Sequence, residues 1–403
     1  MKQIFASMQS IWVKRFLIGI LLSFAMGSLA SLFLWGMDVI ADLRQPAYLY
    51  GLPLVGLLFY VIKSKSWAQV STKQFIASQL SEHSPFATPF ILVATWLSHI
   101  AGASVGREGT AIMMGGNLSA YLSEKFHLSA QEKSIWLRAG MSAGFSAVFG
   151  TPLAGCFFGL EVGKVGKIHW PSFFACIALA FAANFVSLHV WGTKHVLYPL
   201  VFLPPISASF WAKLAFIGLF LGLIGFVYTR LESIIFSAYG KLPIQPALKG
   251  ILAGLILLGL FQIPNFTESV GIGSEFLLRP FSTEFVASNF APTKLFATAL
   301  SLGIGFKGGE ATPLFLIGSH AAAGLSAWID FPIPLLAGIG FTSLYCGLAK
   351  TPLTGMLLGC ELFGPQAWFC YLFVTLIVLY FSGKEGIFKI QPWSAYLPKP
   401  PYR

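Results

Sequence analysis

Hydrophobic residues along this chain come in blocks and not in alternation. Apolar runs cover roughly 16–40, 47–63, 86–103, 110–122, 134–163, 171–192, 211–229, 246–263, 289–305, 312–328, 332–349 and 367–382. The strands of a membrane β-barrel would alternate lipid-facing with lumen-facing residues, and these runs do not. They predict α-helices, and the fold class is an all-α, polytopic membrane protein. Several runs are shorter than the ~20 residues that cross a hydrocarbon core, or are interrupted by Gly and Pro. Those predict re-entrant or broken helices, whose ends lie at membrane depth against protein or a polar cavity.

Composition sharpens this reading. Of 403 residues 56% are hydrophobic and 10% charged, against roughly a quarter charged in a soluble domain. The net charge of +11 reads as topology and not as affinity for nucleic acid. Lys2, Lys14 and Arg15 precede the first apolar run, and Lys384, Lys389, Lys399 and Arg403 follow the last. The positive-inside rule then places both termini in the cytoplasm. The first run is too long for a signal peptide and lacks its small-residue cleavage pattern, so it is expected in the mature protein. All five cysteines sit in apolar segments without metal-ligand spacing, and His99 and His320 have no ligand partner at a useful distance along the chain. They read as packing residues, with no metal or cofactor expected.

The chain repeats itself. TPLAG at 151–155 returns as TPLTG at 351–355, an offset of 200, and the match extends to Gly159 with Gly359 and Glu161 with Glu361. Gly106, Glu108 and Thr110 align with Gly308, Glu310 and Thr312 at an offset of 202. The division is therefore 1–200 and 201–403, two halves of one membrane domain, meeting near the Pro204–Pro205 pair. An odd number of spans in each half would invert the second copy. Inverted repeats bring broken helices from both halves to one site near the midplane, where their N-termini meet an anion.

The two glycine-rich motifs suit such a site. A helix that begins inside the membrane leaves N–H groups unpaired and carries about half a positive charge at that end. In GREGT (106–110), Gly106 and Gly109 let main chain approach a small ion, with Thr110 on the same path. Glu108 could place its carboxylate where the ion would sit, acting as a gate and carrying a proton. The second motif offers Glu310 and Thr312, followed by Pro313, a residue suited to a first helical turn. Arg107 is costly in lipid and is expected to face polar backbone or water. Glu161 and Glu361 close their runs and read as structural.

These residues resemble the CLC family of anion channels and proton-coupled anion antiporters. GREGT is similar to the family's gating-glutamate loop, and GFKGGEATPLF (305–315) to the form found in the fluoride-exporting branch. The resemblance covers essentially the full length. It implies a CLC-type inverted repeat and a homodimer in which each protomer has its own ion path, with Glu108 as the proton-carrying gate and Glu310 and Thr312 tuning fluoride handling. Two departures stand out. No glycine occurs from 57 to 101, where the family has another anion loop; VSTKQFIASQL (70–80) takes that place, with Phe75 resembling an aromatic lining residue. In SGKEGIFKIQ (382–391), Phe388 stands where the family has a pore tyrosine, and Tyr396 is nearby. The expectation is a fluoride/proton antiporter expelling fluoride across a bacterial inner membrane, its partners the ions, the lipid bilayer and a second copy of itself. A chloride/proton antiporter or passive chloride channel is the alternative. An intramembrane enzyme using Glu108 and Glu310 as acid and base is disfavoured, since neither HExxH nor GxSxG is present.

Overall fold

Every apolar run becomes helix because backbone polar groups in hydrocarbon must be satisfied within their own segment. A computed structural model describes residues 2–63, 65, 84–196, 198–282, 289–388 and 391, with side chains from residue 13 onward apart from 14. The first half contains α1 (Lys2–Leu43), α2 (Leu52–Ile62), α3 (Ala87–Ile100), α4 (Glu108–Lys125), α5 (Ala130–Phe149), α6 (Pro152–Glu161) and α7 (Phe173–Phe185). The second contains α8 (Ala208–Gly240), α9 (Pro246–Phe261), α10 (Phe290–Gly303), α11 (Ala311–Gly324), α12 (Ile333–Ala349), α13 (Pro352–Phe363) and α14 (Trp368–Phe381). The two lists correspond helix by helix. Among the described residues there is no strand, only one isolated antiparallel bridge, Gly106 with Gly309.

Among the described residues three helices, Arg15–Leu43, Trp170–Val190 and Ala208–Gly240, are long and apolar enough to cross a membrane. Most of the others are too short, as the interrupted runs predict. The run 134–163 is not one helix: Gly150 turns the chain left-handed at φ 73°, and Pro152 restarts it as α6. At the matching place Lys350 adopts φ 61° before Pro352. Its ammonium donates to Leu379 O, Ser382 Oγ and Gly383 O, satisfying carbonyls where α14 ends. The α13 segment escapes the apolar count because glycines, threonine and glutamate dilute it.

Within each half, one helix pair touches backbone to backbone. A Cβ on Gly115 of α4 would stand 2.1 Å from the Gly140 carbonyl oxygen of α5, and one on Gly318 of α11 would stand 2.1 Å from that of Gly340 of α12. Such approach replaces the hydrophobic drive that lipid cannot supply. Gly318→Val should therefore force α11 from α12. The expected result is loss of the monodisperse peak in detergent size-exclusion; a wild-type profile would mean that the helices can part without consequence.

Between the halves the contacts are reciprocal. A Cβ on Gly56 of α2 would meet Gly250 O at 2.2 Å, and one on Gly250 of α9 would meet Gly56 O at 2.4 Å. Glu161, at the end of α6, accepts from Leu353 N, Thr354 N and Thr354 Oγ1 at the start of α13, at 3.0, 2.8 and 2.7 Å. Glu361, at the end of α13, accepts from Leu153 N and Ala154 N at the start of α6, both at 2.9 Å. Contacts in which i meets j and the equivalent of j meets the equivalent of i define an approximate two-fold axis. Both glutamates thus serve as caps for the opposite half's helix, a structural use.

Candidate anion site between two helix tips

On that axis α4 and α11 begin face to face. Gly106 N donates to Gly309 O at 2.6 Å, and Gly309 N donates to Gly106 O at 2.7 Å. A Cβ on Gly106 would lie 3.1 Å from Thr312 N, and one on Gly309 would lie 2.6 Å from Gly109 N. Each glycine covers the first-turn N–H of the opposite helix, so neither position has room for a side chain.

The helix starts correct the sequence alignment by one residue. Arg107 is the N-cap of α4 with φ −111° and ψ −28°, and Glu310 is the N-cap of α11 with φ −108° and ψ −16°. The register between the motifs is therefore 203, the same offset that relates both ends of α3 and α10. Arg107 matches Glu310, Glu108 matches Ala311, and Gly109 matches Thr312. The glutamates and threonines paired by identity at 202 do not occupy equivalent places. One tip carries an acid in its first turn, and the other carries alanine there.

Glu108 reaches across the axis. Its Oε2 accepts from Thr312 N at 3.0 Å, from the Thr312 hydroxyl, and from Arg107 N at 3.3 Å, while Oε1 accepts from Arg107 Nε at 3.3 Å. The side chain is 2% exposed. Its donors are backbone N–H, hydroxyl and guanidinium N–H groups, and the carboxylate stands at the electropositive tip of α11. Arg107, 23% exposed, adds positive charge from the rim.

The other predicted positions divide. Gly106, Gly109, Arg107, Glu310 and Thr312 converge on the two tips. Thr110 is buried beside them, but its hydroxyl pairs with Thr95 Oγ1 at 2.7 Å, so it is turned into the contact between α3 and α4. Phe388 lies in the core edge-on to Phe158, with centroids 6.4 Å apart, at one end of an aromatic series running through Phe145, Phe149 and Phe315. Phe75 and Tyr396 lie outside the described residues. His99 and His320 each bond a carbonyl four residues back through Nδ1 and pack as expected.

Sequence reasoning passed over three tyrosines. Tyr345 of α12 packs edge-on to Phe315 at 5.0 Å and lies within electrostatic reach of Glu108 and Glu310. Tyr198 is within similar reach of Arg107 and Glu108. Tyr228 of α8 is 1% exposed, and among the described residues its hydroxyl has no hydrogen-bond partner. A tyrosine in an apolar run carries no local signal that separates packing from polar work.

Paired helix tips buried in a two-fold repeat of short and long apolar helices, with a carboxylate seated on one of them, define an anion-handling membrane protein. Comparison with known proteins names the family. Residues 51–383 match the family model described as voltage gated chloride channel. The chain is 33% identical over 383 residues to a chloride/fluoride channel protein of Pseudomonas syringae pv. tomato, covering 91% of this chain and 83% of the relative. It is 28% identical over 295 residues to the voltage-gated ClC-type chloride channel ClcB of Escherichia coli, covering 71% and 70%. Among solved structures it is similar to a CLC-type fluoride/proton antiporter, with a TM-score of 0.87, 26% identity and coverage of 94% and 97%. A slow cyanobacterial Cl−/H+ antiporter shares the fold with a TM-score of 0.77 and 21% identity over 94% and 96%. The chain belongs to the voltage gated chloride channel (CLC) family, and the relatives it matches are channels and transporters.

Proposed function

We propose that this protein exchanges fluoride for protons, expelling fluoride from a bacterial cytoplasm. The observation that carries the reading is the Glu108 carboxylate resting on Thr312 N and the Thr312 hydroxyl. An anion that takes those donors displaces Glu108. Protonation of Glu108 removes both its charge and part of its capacity to accept hydrogen bonds, so proton loading and anion loading alternate at one tip. Fluoride is smaller than chloride and costlier to dehydrate, which suits a site of close N–H and O–H donors. Proton coupling supplies free energy for export against a gradient. The fluoride/proton antiporter fold and the chloride/fluoride relative support the choice of ion.

In this reading residues 1–200 and 201–403 are inverted halves, both termini are cytoplasmic, and the protein is a homodimer of the inner membrane with one path per protomer. Simultaneous fluoride and pH recording from reconstituted liposomes tests it. Fluoride efflux driving proton uptake is expected. Fluoride movement without protons overturns the exchange, and chloride moving faster than fluoride assigns the same machinery to chloride. Glu310→Gln is expected to slow coupled exchange; an unchanged rate removes Glu310 from the cycle.

A further inference from the structure

The segment that delivers the α4 tip is tied to the opposite half at every second residue. Gly102 O accepts from Gly271 N at 2.8 Å, Ser104 N donates to Ser301 Oγ at 3.2 Å, and Gly106 exchanges both of its backbone bonds with Gly309. Ser104 Oγ also lies 3.0 Å from Thr298 Oγ1, in hydrogen-bond contact. We propose that Thr298 and Ser301 of α10, acting through Ser104, hold the α4 tip close to the α11 tip and so set the preference for fluoride over chloride. This deepens the fluoride reading and rests on it.

Of the three ties, only the middle one is made by side chains. Thr298 and Ser301 stand three residues apart on one face of α10, and both are 0% exposed, as is Ser104. Lys294, one turn earlier on that face and equally buried, donates to Ser269 O at 3.2 Å and to Gly271 O at 2.6 Å, which seats the turn that bonds Gly102. The matching place in the other half is built differently. At the register of 203, Thr95 and Ser98 of α3 match Thr298 and Ser301, and Lys307 matches Ser104. Thr95 Oγ1 is paired with Thr110 Oγ1, and among the described residues Ser98 Oγ has no hydrogen-bond partner. The approach to the α11 tip is tied instead by Tyr60 of α2, whose hydroxyl donates to Ile304 O at 3.1 Å. Both helices carry the same two hydroxyls, and it is the pair on α10 that grips the segment ahead of the gating carboxylate.

Ser104 lies two residues before Gly106 and three before Arg107, the N-cap of α4. Fixing Ser104 fixes where the first-turn N–H groups of α4 point and how far Glu108 stands from Thr312. Tips held rigidly keep their donors at the spacing a small anion needs, and a larger anion must spread them against these bonds. Removing one bond lowers that resistance for chloride. Fluoride, which needs no spreading, keeps its rate.

The test measures fluoride and chloride efflux from liposomes with ion-selective electrodes. Wild type must first move fluoride faster than chloride; if it does not, the fluoride reading itself has failed. Given that preference, Thr298→Val, Ser301→Ala and Ser104→Ala are each expected to raise the chloride-to-fluoride rate ratio roughly two- to tenfold, since the selectivity lost cannot exceed the net worth of about one neutral hydrogen bond. Thr298→Ser, which keeps the hydroxyl, should restore the wild-type ratio. The double variant Ser104→Ala with Thr298→Val should shift the ratio no further than the larger single change, because both remove the same bond. An unchanged ratio in Thr298→Val and Ser104→Ala overturns the proposal. So do additive shifts in the double variant, or a fall of both rates at constant ratio, which would leave the clasp a purely structural role. Should Thr298→Val fail to give a monodisperse peak, Ser104→Ala and Ser301→Ala decide by the same criteria.

Discussion

Liposomes carrying Glu108→Gln are expected to leak fluoride down its gradient while proton uptake falls at least about a hundredfold, the lower end of what a positioned acid–base group contributes. The amide is nearly isosteric with the carboxylate, so the two helix tips keep their spacing. It is a poor occupant of the position, however. Glu108 Oε2 lies among donors, namely Thr312 N, the Thr312 hydroxyl and Arg107 N. An amide that turns its oxygen to them accepts without charge, and one that turns its NH2 places donor against donor. Either way the charge that competes with an anion is gone, and no titratable proton remains. Dual-electrode recording checks both halves of the expectation. Proton uptake that persists at the wild-type ratio would move the proton-carrying role elsewhere in the molecule.

That expectation depends on a geometry only partly visible in the sequence. An acid and an arginine bracketed by glycines inside an apolar chain mark a helix start at membrane depth, because few other arrangements can hold those charges. The convergence of GREGT with GGEAT was legible for the same reason, since repeats related by symmetry bring matched segments together. The register was not. Residue identity pairs Glu108 with Glu310, whereas backbone conformation pairs Arg107 with Glu310, and what decides is where each helix begins. The hydroxyl of Thr110 was beyond sequence for a related reason. It faces Thr95 because α3 packs behind α4, a tertiary fact. Tyr228, Tyr345 and Tyr198 illustrate the widest gap: in a chain with 12 tyrosines and 39 phenylalanines, only the fold shows which of these rings are buried.

The reciprocal caps give the second large effect, on stability. Glu161→Ala is expected to cost on the order of 3 kcal/mol, because hydrogen bonds to a charged group contribute about 1.5–3 kcal/mol and buried donors left without a partner add to the loss. Three donors at the start of α13 depend on this carboxylate: Leu353 N, Thr354 N and Thr354 Oγ1. Glu161 is 6% exposed, so water cannot readily take its place. The symmetric change, Glu361→Ala, should cost less, roughly 1–2 kcal/mol. Ala154 stands where the other half has Thr354, so Glu361 accepts from two N–H groups and no hydroxyl, and it is only half-buried. Thr354→Ala should therefore bring the two glutamate sites closer together, with Glu161→Ala costing less in that background than in the wild type. Thermal unfolding in detergent, followed by loss of the monodisperse fraction, measures all of these variants on one scale. Equal shifts for Glu161→Ala and Glu361→Ala would mean that the hydroxyl contributes nothing, and no shift in either would mean that these caps do not hold the halves together.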